Sequence, residues 1–375
     1  MNEVGTRSMT LQYVAAMRPW LWPLWLFAAV SACSPNDTAL PAAGPSSSPA
    51  RSGEASTPPP QGSSVTPPDA EPPPVTALRV AIRDHYSYRD RLGLDWKAAI
   101  DKRAADLAKA SDAASFANIV AEILAPAEDT HITIEVEGQS RRLVPHVVKP
   151  VFNFALKTLE KVITDWKVRT RCLITGTFAG YAYVMITHWE RARCGDLGAD
   201  FAAALTDAKS AKALILDMRG NAGGDEMLAR AVAGRFVKQP TLYAKHVSVV
   251  AGAPGTFGPV QERVLEPIAG GWEKPVVTLM GPLNMSSNEA FLLMMRAAGS
   301  KLIGQRSGGS SGNPQPHELG NGVAVYLPSW KAMLPDGTVF EGVGIAPDIE
   351  VATAPLDFET SDPVLKAAVA ELSKR

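Results

Sequence analysis

Two adjacent serines, Ser286 and Ser287, stand in "GPLNMSSNEAF", where an apolar strand-like run gives way to a helical pattern. A serine at such a junction either caps the helix or acts as a nucleophile. The first N–H groups of a helix lack intrahelical acceptors and carry the positive end of its dipole. The Ser287 N–H could therefore hold an oxyanion formed when Ser286 attacks a carbonyl. A second backbone donor set is offered by Arg219-Gly220-Asn221-Ala222-Gly223-Gly224, between the buried run "AKALILDM" and the helical "EMLARAVAGRF". Glycine permits a turn there without side-chain obstruction. The spacing of a dinucleotide fingerprint and the lysine of a phosphate loop are both missing, so Gly223 and Gly224 read as candidate oxyanion donors or as a plain tight turn. Such a serine also needs a base. Of the six histidines, His131 in "AEDTHITI" opens a strand-like stretch, and read alone it is a half-buried strand-start residue. His85, His146, His188, His246 and His317 show no metal-ligand spacing, so neither a metal nor a cofactor is expected.

The elements that would position these groups follow from periodicity. "ALRVAIRDHYSY", "LDWKAAIDKRAADLAKA" and "SDAASFANIVAEILA" place apolar residues three and four apart, with Ser111 as the cap of the third, and predict a helical cap subdomain over residues 76–130. "HITIEVEG" alternates as a strand, and "CLITGTFAGYAYVMIT" reads as one or two more. From there strand and helix patterns alternate through "LGADFAAALTDAKS", "AKALILDM", "PVVTLMG", "SSNEAFLLMMRAAG" and "KLIG". This predicts an α/β core with a largely parallel sheet over 131–355, followed by a C-terminal helix over 356–375. "LVPHVVKPVFNFALKTLEKVITDW" reads as a helix, or a short hairpin plus helix, that walls the cleft.

The N-terminus differs from the rest. "MRPWLWPLWLFAAVSAC" has a positive charge, a short apolar stretch and small residues before Cys33, the pattern of a secretory signal over residues 1–33. Its ending resembles the lipobox of bacterial lipoproteins, which implies lipidation of Cys33 and a chain tethered to a membrane, facing the periplasm. Residues 34–75, with "PPP" at 58–60 and 72–74, read as a disordered linker. In an exported domain Cys172 and Cys194 could pair; otherwise they are separate thiols. A formal net charge of -1 gives no basic footprint for nucleic acid.

Together, "ALILDMRGNAGGDE", "VVTLMGPLNMSSNEAF", "KLIGQRSGGSSGNP" and "FEGVGIAPDIEV" resemble the C-terminal processing (tail-specific) serine peptidases, whose relatives include the tricorn protease and the retinoid-binding repeats. The resemblance implies a ClpP/crotonase-like spiral core and a peptide or protein substrate. It also implies that the nucleophile lies three residues before Glu289, which selects Ser286. Tail-specific members take their lysine base from the segment matching "RSGGSSGNP"; here Ser310 and Ser311 stand in it, and Lys301 and Lys331 lie elsewhere. Tricorn-like relatives instead imply His131 as base, supported by Thr130 and Glu341. About forty residues separate His131 from Cys172, too few for the PDZ module many members carry. The missing lysine also motivates the alternative of an inactive protein binding an apolar ligand or peptide.

Overall fold

The computed structural model describes residues 71–374. Cys33, the expected signal segment and most of the expected linker lie outside the described residues.

Three helices, α1 (Pro73–His85), α2 (Trp96–Lys109) and α3 (Ala113–Leu124), open the described chain. α1 begins inside the stretch expected to be linker, with proline at its first positions, where the missing N–H is not needed and φ is already helical. The cap of α3 is Asp112, not Ser111: its carboxylate accepts the Ser115 N–H at 2.7 Å. The next elements are β1 (Thr133–Val136), α4 (Leu156–Val162), β2 (Thr164–Val168), β3 (Leu173–Phe178) and β4 (Tyr181–Ile186). α5 (Arg191–Cys194), α6 (Leu197–Asp207), β5 (Leu214–Asp217), α7 (Glu226–Ala233), β6 (Thr241–Ser248) and β7 (Gln261–Leu265) follow. The chain continues through β8 (Val276–Met280), α8 (Ser287–Ala297), β9 (Lys301–Gly304), β10 (Pro314–Glu318) and β11 (Val323–Pro328). It ends with β12 (Trp330–Met333), β13 (Ile349–Glu350) and α9 (Pro363–Leu372).

The central sheet has seven strands in the order β13-β9-β8-β5-β4-β3-β2. The run from β13 to β4 is parallel, and β3 and β2 add antiparallel strands at one edge. Every residue of β5 is buried, as expected of a strand covered on both faces. Its period-two alternation divides the core. Leu214 and Leu216 join Phe201, Val232 and Phe291 on the face covered by α6, α7 and α8, while Ile215 joins Leu159, Val277 and Leu365 on the face covered by α4 and α9. α8 is buried from Ser287 to Met295, because it packs between the central sheet and the separate sheet β12-β6-β7.

The first three helices do not form a purely helical unit. Their apolar faces close on a third sheet, β1-β11-β10, so that Leu78, Ile82, Val120 and Leu124 share one cluster with Ile134, Val323, Val325 and Leu327. β11, almost two hundred residues downstream of α3, supplies apolar cover that the helices cannot give one another. Between β1 and β2 only α4 is a regular element, with no inserted domain. A disulfide joins Cys172 to Cys194 with a Cα–Cα distance of 5.3 Å. Both cysteines are buried, and the bond fastens the start of β3 to α5. Closing a loop of that length restricts the unfolded chain by about 3 kcal/mol.

Candidate active site

Ser286 sits where β8 turns sharply into α8, with φ 55 and ψ -133. A positive φ in a residue with a Cβ costs of order 1–3 kcal/mol and persists only where the surroundings enforce it. Asn284 does much of the enforcing. Its Oδ1 accepts the Gly281 N–H at 2.8 Å, and its Nδ2 donates to Met218 O at 2.7 Å and Asn221 O at 3.0 Å, tying the turn to the loop after β5. The Ser286 N–H donates to Ser310 O at 2.7 Å. Its hydroxyl makes no capping bond, and among the described residues it has no hydrogen-bond partner. Ser287 is the reverse case: it is buried, and its hydroxyl donates to the carbonyl of Gly224. Of the two serines only Ser286 presents a half-buried, unengaged hydroxyl.

The glycine loop packs directly on that turn. Gly223 and Gly224 have φ of 113 and 131, and a Cβ on Gly223 would lie 2.8 Å from both Ser286 Cβ and Met285 O. One on Gly224 would meet Trp189 O at 2.1 Å. Only glycine fits at either place. The two N–H groups are not equivalent, however. Gly223 already donates to Asn221 Oδ1 at 2.9 Å, whereas the N–H groups of Gly224 and Ser287 have no acceptor among the described residues. The latter two are the donors left for an anion beside Ser286. Trp189 braces this arrangement, its carbonyl accepting the Asp225 N–H at 2.6 Å and its indole N–H donating to Asn288 Oδ1 at 3.0 Å.

His131 meets the Ser310 loop from the β1 side. Its Nδ1 lies 2.7 Å from Ser310 Oγ, and Thr130 Oγ1 lies 2.6 Å from that same oxygen. Ser310 therefore touches the candidate base through its side chain and the candidate nucleophile through its carbonyl. Burial lowers the His131 pKa, partly opposed by the charge of Asp129. Asp129 accepts the backbone N–H of His131 at 2.9 Å through Oδ1 and the Tyr86 hydroxyl at 2.9 Å through Oδ2.

Glu341 does not meet the imidazole directly. Its Oε2 accepts the N–H of Ser311 at 2.6 Å and the Ser311 hydroxyl at 3.1 Å, and Tyr88 OH lies 3.1 Å from that hydroxyl. Burial and the nearby Asp129 push the Glu341 carboxyl well above its ordinary range. Glu289, one turn into α8, pins the same loop by accepting Ser307 Oγ–H and the N–H groups of Gly309 and Ser310, the last two at 2.9 and 3.1 Å. Burial raises its pKa to about 8 against the pull of these donors. Lys331 lies over the Phe257 ring, 4.2 Å from its centroid, and exposed Lys301 opens β9; neither offers an amine to Ser286.

Asp129, Glu289 and Ser310 were not singled out by residue type and spacing. The nearest signals were the acidic residue two positions before His131 and the serine occupying the lysine position. Tyr86 and Tyr88, in "HYSY", do pack as expected, but they also carry hydroxyls to Asp129 and Ser311.

An unengaged hydroxyl held in strain at a helix start, with two free backbone donors beside it and a buried imidazole on the adjoining Ser310 loop, is an arrangement suited to serine-type hydrolysis on an α/β scaffold. Residues 180–351 match the model of Peptidase family S41. Over 225 residues the chain is 32% identical to a Streptomyces coelicolor protein assigned as tricorn protease homolog 2, covering 55% of this chain but only 16% of that relative. A Parabacteroides merdae protein assigned as a peptidase superposes with a TM-score of 0.69 at 22% identity, covering 80% of this chain and 95% of that one. A lipoprotein from Streptococcus agalactiae does so with a TM-score of 0.53 at 17% identity, covering 83% and 98%. The match to Peptidase family S41 covers less than half of the chain, and the chain spans about a sixth of the length of the curated relative it resembles.

Proposed function

We propose that the protein is an exported, lipid-tethered peptidase in which Ser286 is the nucleophile and His131 the base. The conformation of Ser286 carries this reading: the fold sustains a left-handed φ at a residue whose hydroxyl caps nothing. In the first half-reaction Ser286 Oγ attacks the scissile carbonyl carbon while His131 takes the hydroxyl proton. The carbonyl electrons move onto oxygen, which the N–H groups of Ser287 and Gly224 hold. Collapse breaks the C–N bond as His131 protonates the leaving amine, and a water then repeats the sequence on the acyl-enzyme, giving its proton to His131 and releasing the acid. Gly223 supports the donors by packing under Ser286, while Thr130 and Glu341 act through Ser310 and Ser311. A fluorophosphonate probe incubated with the full chain should label Ser286, as read by peptide mapping; absence of labelling in folded, hydrolytically active protein excludes this nucleophile.

Tethering rests on the lipobox-like sequence ending in Cys33. The buried disulfide supports an oxidising compartment, since such bonds persist outside the cytoplasm. One lipid chain holds a protein at a bilayer only marginally, and the several chains of a lipoprotein hold it firmly. In a bacterial host that processes lipoproteins, Cys33→Ala should move the protein from the membrane fraction to the soluble fraction. Unchanged membrane association in that variant rejects lipid anchoring at Cys33.

A further inference from the structure

We infer that Ser310 is the positioning residue of the base: its hydroxyl holds Nδ1 of His131 and leaves Nε2 as the nitrogen that takes the Ser286 proton. The inference rests on the assignment of Ser286 and His131 above. In a serine–histidine pair, something must fix the imidazole tautomer and ring angle, and a carboxylate commonly does so. Here the carboxylates within reach of the loop are committed elsewhere. Asp129 holds the His131 backbone N–H and the Tyr86 hydroxyl, Glu341 holds Ser311, and Glu289 holds Ser307, Gly309 and Ser310. Among the described residues the ring of His131 has one hydrogen-bond partner, Ser310 Oγ at 2.7 Å.

The bond has a consistent direction. A neutral His131 protonated on Nδ1 donates to Ser310 Oγ, and the single Ser310 proton then points to Thr130 Oγ1 at 2.6 Å. That uses both hydroxyls and leaves the Nε2 lone pair free. Ser310 itself has little freedom to drift. Its N–H is held by Glu289 Oε2 at 3.1 Å and its carbonyl by the Ser286 N–H at 2.7 Å. The loop around it is close-packed: a Cβ on Gly309 would lie 2.4 Å from Gly344 N, and one on Gly312 would lie 2.4 Å from Pro328 Cβ. One residue thus fixes the nucleophile's backbone and the base's ring together, at the place where the lysine-dependent relatives were expected to carry their amine. A neutral hydroxyl stabilises an imidazolium less than a carboxylate does, consistent with a base kept uncharged by its burial. The ionisable groups facing this assembly are Asp129 on the His131 loop, Tyr86 and Arg91 after α1, and Glu289 and Glu341 across it.

The test is the pH profile of kcat and KM for the full-length Ser310→Ala and Ser310→Thr proteins on a quenched fluorescent casein substrate, with Ser286→Ala alongside. Losing a hydrogen bond to a group that becomes charged should lower kcat of Ser310→Ala by about ten- to a hundredfold, with little change in KM. Its acid limb should move to lower pH, because the imidazolium has lost an acceptor. Ser310→Thr keeps the hydroxyl and should restore most of kcat and the parental limb. Unchanged kcat and limb in Ser310→Ala, or a folded Ser310→Thr no better than alanine, overturns the inference. If Ser310→Ala fails to fold, the threonine profile decides: a parental limb with high kcat supports the role, and lost turnover in folded protein rejects it. Full activity in Ser286→Ala would instead remove the nucleophile assignment on which the inference depends.

Discussion

Ser286→Ala is expected to lower kcat for peptide hydrolysis by at least about 10⁴-fold while leaving the fold intact. In the proposed reaction the hydroxyl supplies the atom that bonds to the substrate carbon, and deleting such a nucleophile leaves only the residual rate enhancement of binding and the oxyanion donors. Stability should hardly change. The hydroxyl makes no capping bond, and alanine at φ 55 bears the same backbone strain as serine, so the difference falls within about 0.5 kcal/mol. Ser286→Gly separates the two properties: it should be equally inactive yet more stable than Ser286→Ala by about 1 kcal/mol, because glycine adopts this φ freely. Ser287→Ala is the contrast. It loses the hydroxyl bond to Gly224 O but keeps the backbone N–H proposed to hold the oxyanion, so its kcat should fall by less than about tenfold. Steady-state kinetics with thermal melts of these three variants check the assignment. A Ser287→Ala protein more impaired than Ser286→Ala would transfer the nucleophile to the wrong neighbour and overturn the reading.

The central sheet was legible because its strands are buried on both faces and read as continuous apolar runs: "ALILDM" became β5, "PVVTLM" became β8, and the glycine-rich and serine junctions fall at their carboxyl ends. The boundaries set by helix propensity were less secure. Asp112 displaced Ser111 as a cap because its carboxylate reaches the Ser115 N–H, and α1 extended back to Pro73 since proline suits a first turn. β6, β7, β10, β11, β12 and β13 had no separate forecast. Most are short or only partly buried, and β11 acquires its meaning from α1 and α3, whose apolar faces it covers from far along the chain. At the candidate site, residue types and motif order singled out Ser286, His131 and the glycine loop, and the fold puts the glycine loop against Ser286 and His131 against Ser310. Which N–H groups remain unengaged, and whether Glu341 meets the imidazole or Ser311, depends on contacts between loops, 30 residues apart for Ser311 and Glu341 and 179 for His131 and Ser310. No periodicity encodes those. Ser310 was visible only as the place where a lysine is missing, and its hydroxyl gains significance once His131 Nδ1 is found beside it.

His131→Ala should cost at least about 10⁴ in kcat, comparable with loss of the nucleophile, because in the proposed mechanism the two act as one unit. The parent enzyme's pH profile should carry the signature of this residue. An unperturbed imidazole titrates near 6.5, and burial of His131 moves its pKa below that value. Only the neutral ring can accept the Ser286 proton, so the acid limb of kcat should be centred below 6.5, losing tenfold per unit once the ring is protonated. Fold stability shifts in the same direction for this group: the unfolded chain binds the proton more readily, so stability falls as pH drops below about 6.5. Glu289 has the opposite sign. With its pKa raised to about 8, its contribution is fully present below its ordinary carboxyl range and is lost as pH rises through that value. A measured acid limb therefore reports on the base only where denaturant titration at the same pH shows the protein folded. In folded protein, a limb centred above 7 would assign the proton-accepting role to a group other than a buried, uncharged imidazole; a limb below 6.5 that disappears together with activity in His131→Ala assigns it to His131.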